Sequence, residues 1–142
     1  MIEQIIFEDI VYAIIIRSEY KQEGITFVTP NDYSQQLAFM SHPKGKKIQP
    51  HIHNKVMRSV TLTQEVLFIK KGKVRVDFYN PKTDYLGSVI LEEGSVILLA
   101  YGGHGFEMLE PTEMFEIKQG PFTGENDKTR FVCEEHAILI KE

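Results

Sequence analysis

The chain has 142 residues, of which 42% are hydrophobic and 25% charged, with a net charge of −4 and a pI near 5.7. That is one domain's worth of core. The densest basic stretch, Lys44 to Lys47, is short and has no interleaved aromatics, so nucleic acid is not an expected partner. A single cysteine, Cys133, rules out an intrachain disulfide. Apolar runs of six residues, Val11 to Ile16 and Val96 to Tyr101, fall far short of the roughly 20 a membrane helix needs. With no positively charged leader in Met1-Ile2-Glu3-Gln4, the expectation is a soluble cytoplasmic domain.

In chain order, short apolar and β-branched runs alternate with turn residues. They predict strands at Val11–Arg17, Ile25–Val28, Gln36–Met40, Ile48–His53, Gln64–Lys70 and Val74–Tyr79. Further strands are expected at Ser88–Leu91, Ser95–Tyr101, His104–Leu109, Glu113–Lys118 and Phe131–Leu139. Thr29-Pro30-Asn31-Asp32, Lys71-Gly72-Lys73, Asn80-Pro81 through Asp84, Glu92-Glu93-Gly94 and Glu110-Pro111-Thr112 separate them. Val74, Val76 and Phe78 alternate with Arg75, Asp77 and Tyr79, the period of a half-buried strand. Ile14-Ile15-Ile16 and Val96 to Leu99 are apolar on both faces, as inside a sandwich. No helical period extends beyond a turn or two. The polar stretch Gly120 to Arg130 reads as a loop. An all-β sandwich or barrel is therefore expected.

Chemistry concentrates around Gly45-Lys-Lys-Ile-Gln-Pro-His51-Ile-His53. Two histidines at i and i+2 on a strand share a face, so their imidazole nitrogens can converge on one ion. Alone, such a pair fits two polar-face histidines equally well. Gly45 precedes His51 by six positions, Glu65 opens the next apolar strand, and Gly72 follows it by seven. Gly94 then begins a strand, a glycine turn and a third histidine, His104.

This arrangement resembles the two motifs of the cupin superfamily over about half the chain, Gly45 to Gln119. The resemblance implies a single-domain, jelly-roll β-barrel spanning residues 1–142. It implies one divalent transition metal ion (Fe, Mn, Ni, Co or Zn) held by His51, His53, Glu65 and His104. Three departures stand out. Eleven residues, Asn54 to Gln64, separate His53 from Glu65, where the motif has three or four. Ala100 replaces the motif's proline, and the second motif is one residue short before His104. The motif's later asparagine has no counterpart. Glu65 can then be a ligand or a carboxylate that hydrogen-bonds a ligand histidine.

Around that centre, Glu65, Tyr101 and Arg58 are the candidate catalytic groups: Glu65 or Tyr101 for proton transfer, Arg58 to clamp a carboxylate or phosphate. Glu107 and His42 read as surface residues, His136 as an edge or solvent residue, and Cys133 as a small buried hydrophobe. Phe68, Phe78, Phe106 and Phe115 read as core or pocket wall. The run from Gly102 to Phe122 looks like small cupin-fold metalloproteins associated with polysaccharide biosynthesis. The resemblance implies a metal-dependent enzyme of isomerase or epimerase type, acting on a small oxygenated metabolite, sugar-derived ones included. An iron-dependent dioxygenase and a non-catalytic small-ligand-binding cupin remain alternatives. A homodimer is expected, with Val11 to Arg17 a candidate for pairing across subunits.

Overall fold

The computed structural model describes residues 1–135 and 137–140. It is all-β, as the run lengths required. Ten strands succeed one another: β1 (Ile2–Phe7), β2 (Ile10–Ile16), β3 (Gly24–Phe27), β4 (Ala38–Ser41) and β5 (Glu65–Lys71). Then come β6 (Lys73–Tyr79), β7 (Tyr85–Glu92), β8 (Val96–Leu99), β9 (Gly103–Met108) and β10 (Glu113–Lys118). They form three sheets, ordered β1-β2-β8-β5-β10, β3-β4 and β7-β6-β9. None of the three is closed into a barrel.

The core lies between the five-stranded and three-stranded sheets. Ala13, Ile15, Leu67, Ile69, Ile97 and Leu99 from the first meet Val74, Val76, Phe78, Val89 and Leu91 from the second. Alternation along β6 sends Val74, Val76 and Phe78 inward, all at most 1% exposed, as its sequence period required. β2 departs from alternation because Ile14 is buried as completely as Ala13 and Ile15. Its sheet is covered on the second face as well, where Val66, Leu98 and Ala100 pack with Tyr33 and Leu37.

β2 is paired to β1 on one side and, over Ala13 to Ile16, to β8 on the other. Within the chain that stretch has no free backbone edge. β1 was not foreseen; its Ile-Glu-Gln-Ile-Ile-Phe pattern mixes exposed and buried positions. The Glu8-Asp9 turn that joins it to β2 has positive φ at both residues, a hairpin geometry normally signalled by asparagine and glycine.

Two expected strands are not formed. Ile48–His53 belongs to a stretch without regular structure between β4 and β5. Phe131–Leu139 forms no strand among its described residues; it meets β7 through the bridge from Ser88 to Leu139 and through the Tyr85 hydroxyl, which bonds the Ile138 backbone. There the backbone of Ile138 and Ile140 exchanges hydrogen bonds with Ser88. The sequence carries β-branched residues in both stretches, but propensity without a partner strand does not make a strand.

Gly72 makes the β5–β6 hairpin possible. Its φ is +97°, and a side chain there would meet the Pro111 carbonyl oxygen at 2.5 Å. Beneath this hairpin a buried network holds β6 to β7. Asp77 accepts hydrogen bonds from Arg75 Nε at 2.8 Å and Ser88 Oγ at 2.5 Å.

Candidate metal centre

Glu65 is the first residue of β5, and His104 the second of β9. These strands belong to different sheets, and the packing of the sheets brings the two side chains together. His104 Nε2 donates to Glu65 Oε1 at 2.6 Å. Glu65 is 9% exposed.

Each residue is fixed by its surroundings. The preceding Gln64 is buried, and its amide donates to Gln119 Oε1 at 2.6 Å. The Gln64 side-chain oxygen accepts from Ser34 Oγ and the Gln35 amide, both at 3.2 Å. Before His104, Gly102 has a φ of +74°, and a Cβ there would run into the Tyr12 ring and lie 2.6 Å from the Tyr79 carbonyl. The turn that aims His104 is therefore open only to glycine.

A second acid joins the pair. Glu116, on β10 beside β5, hydrogen-bonds Glu65. Burial alone pushes the Glu65 carboxyl up, but the hydrogen bonds from His104 and Glu116, with the Lys118 charge, hold it below its ordinary range. Burial raises the Glu116 carboxyl, and the neighbouring Glu65 raises it further. Nothing in the sequence singled out Glu116. Its only signal was placement: β10 alternates, and Glu116 shares the face of Met114 and Lys118.

Glu65 and His104 line a cavity of about 960 Å³. One wall is polar, with Lys118, Asn126, Asp127, Lys128 and Thr129. Tyr79, Phe106 and Phe131 form an apolar wall, where the Phe131 ring packs edge-on against Tyr79 at 5.0 Å. The loop from Gly120 to Arg130 contributes a short 3-10 turn, Gly124–Asp127, tied back by Thr63 Oγ1 to Asp127 Oδ1 at 2.8 Å. Cys133 is half-buried and also lines the cavity.

The other expected residues lie elsewhere. His51 and His53 are exposed, on the irregular stretch before β5. Their ring centroids are 5.2 Å apart at an interplanar angle of 77°, and His51 Nδ1 is 2.9 Å from the Gln49 carbonyl. Among the described residues, no three His, Cys, Asp or Glu side chains are arranged to hold a metal. The structure thus joins Glu65 to His104 and His51 to His53, but not one pair to the other.

Arg58 is exposed on the same stretch. Tyr101 is half-buried; its ring packs edge-on against Tyr12 at 5.2 Å, and it does not line the cavity. Glu107 pairs with Arg75 at 2.7 Å on the sheet surface. His42 buries its Nε2 without a partner. Phe78 is core and Phe106 cavity wall, whereas Phe115 is exposed and stacks on Phe68 at 6.4 Å. His136 lies outside the described residues.

No family model matches the chain, and no curated protein or solved structure is significantly similar to it.

Proposed function

We propose that this protein is a cupin-like, metal-binding protein whose cavity receives a small oxygenated metabolite, sugar derivatives included. The observation that carries the reading is the convergence of Glu65 and His104 at 2.6 Å inside a cavity of about 960 Å³. Both residues stand out in the sequence as metal ligands, and 38 residues of chain separate them. A nitrogen and a carboxylate oxygen are donors suited to a divalent transition ion.

Within one chain the donor set is incomplete, because His51 and His53 lie apart from Glu65 and His104. The chain's own residues account for ligand binding. Lys118, Lys128, Asn126 and Thr129 offer donors to hydroxyl, carbonyl or acidic oxygens. Tyr79, Phe106 and Phe131 give a carbon skeleton an apolar surface. Glu116, its carboxyl raised by burial and by Glu65, stands beside that surface, where a bound hydroxyl could exchange a proton with it. A jelly-roll barrel, with the irregular stretch before β5 closing the open sheets, belongs to the same proposal.

Elemental analysis of protein purified without chelator tests it. The expected result is bound transition metal that a Glu65→Gln/His104→Gln variant loses. Metal content unchanged in that variant, or none in the parent, breaks the reading. With metal established, turnover of sugar-derived substrates separates an enzyme from a carrier, and oxygen uptake that depends on ferrous iron identifies a dioxygenase.

A further inference from the structure

Tyr79, the last residue of β6, is 6% exposed, yet its hydroxyl has no hydrogen-bond partner among the described residues. Buried polar groups are nearly always paired, because leaving one without a partner is costly. We infer that the missing partner is the ligand: the Tyr79 hydroxyl donates a hydrogen bond to an acceptor oxygen of the metabolite that the cavity takes. This rests on the ligand-cavity reading above, though not on a bound ion, and it adds a binding residue to that cavity.

The hydroxyl faces open space. Tyr79 lines the cavity. Among the described residues, the side-chain atoms sealed from solvent without a partner are Gln35 Oε1 and His42 Nε2, and the Tyr79 oxygen is not one of them. The neighbouring strand leaves it room. Tyr79 stands opposite Gly103 of β9, where a Cβ would lie 3.2 Å from Tyr79 Cβ. A Cβ at Gly105 would lie 3.8 Å from the ring and 4.0 Å from the hydroxyl. The ring therefore runs along β9 over two glycines, and any longer side chain at position 105 would fill the space beside the hydroxyl. That gives the Gly103-His104-Gly105 sequence a reason beyond the turn before it.

The ring itself is held. Phe131 packs edge-on against it at 5.0 Å, and Tyr85 lies tilted beside it at 5.8 Å. A fixed ring with a free hydroxyl is a preorganised donor, because little ordering is needed when a ligand arrives. Burial, then the Asp77 charge, pushes the phenol up, so it keeps its proton at neutral pH. Directly opposed residues share a face of a sheet. His104 thus shares the face of Phe78, and Tyr79 shares the opposite face with Gly103. β9 is an outer strand of its sheet, and the cavity, lined by residues of both faces, passes round it. Tyr79 therefore meets a different part of the ligand from Glu65 and His104. The class of group it takes is an acceptor oxygen: a sugar hydroxyl or ring oxygen, or a carboxylate.

Tyr79→Phe tests the assignment, since it keeps the ring and removes one oxygen. The probes are glucose and glucuronate, a neutral and a carboxylate form of one sugar ring, titrated calorimetrically into the protein. Wild type should bind at least one of them, and the better of the two should bind Tyr79→Phe about 3- to 10-fold more weakly, the loss of one hydrogen bond. Without ligand, the melting temperature of Tyr79→Phe should stay within about 2 °C of wild type, because no protein partner is lost. Gly105→Val should weaken the same sugar by crowding the hydroxyl while leaving the ring in place. Unchanged affinity in both variants overturns the assignment and leaves the cavity reading standing. A larger fall in the melting temperature of Tyr79→Phe also overturns it, since the hydroxyl would then be paired inside the protein. Wild type that binds neither sugar overturns both.

Discussion

Glu65 with His104 and His51 with His53 are chemically similar pairs in opposite settings. The first is clamped: Glu65 follows the buried Gln64, held by four hydrogen bonds, and His104 lies two residues after Gly102, which no other residue could replace. The second sits on a basic, apolar stretch where the hydrogen bonds near it are local, such as His51 Nδ1 with the Gln49 carbonyl and Lys46 to the Pro43 carbonyl. The difference teaches that two polar side chains can be brought together either by packing two rigid strands or by sequence proximity alone. Only the first kind contributes to the stability of the isolated chain.

Substitutions can break or sharpen that contrast. The largest effect is expected in the core that positions the clamped pair. Phe78→Ala, at a residue 1% exposed beneath β9, should cost about 3–5 kcal/mol in denaturant unfolding. A cost under 1 kcal/mol would mean that the two sheets are not packed as described.

Next comes the pair itself. His104→Ala strands the buried Glu65 oxygen without its donor and should cost about 1–3 kcal/mol in metal-free protein. Equal stability of variant and parent would show that the hydrogen bond is not formed in solution.

Two glycines then compare the regions directly. Both Gly72 and Gly45 have positive φ, +97° and +88°, so alanine costs each about 1–2 kcal/mol of backbone strain. Gly72→Ala adds a collision with Pro111 and Thr112, whereas a side chain at Gly45 meets nothing within 4 Å. Thermal unfolding should therefore place Gly72→Ala well below Gly45→Ala, and the reverse order would contradict the contrast between the hairpin and the irregular stretch.

The smallest stability effect belongs to the irregular stretch. His51→Ala/His53→Ala should leave metal-free stability within about 0.5 kcal/mol while abolishing metal uptake. A large loss of stability in the absence of metal would mean that this stretch is docked without an ion.

Much of the fold could be read directly. Val74, Val76 and Phe78 announced β6 and its inward face because a period of two has one physical meaning next to a core. Glu113–Lys118 matched its strand to the residue. Ile48–His53 misled, since β-branched residues record a preference that is realised only against a neighbouring strand. Tyr101 misled for a related reason: a position beside a glycine turn does not say which side of the sheet the ring takes, and packing on Tyr12 took it out of the cavity. Glu116 was invisible because its role depends on which strand neighbours β5, a fact about pairing between distant segments.

The sequence by itself determined the all-β class and most strand positions, and its motif resemblance offered Glu65 and His104 as candidates, because alternation, turn residues and motif spacing are local. Only the tertiary structure decided that the first ligand candidate pair is clamped and the second is not. It also decided that Glu116 stands against Glu65 and that most of the cavity wall comes from the chain's last third. These depend on sheet order and on how two sheets face each other, and no local pattern of residues encodes either.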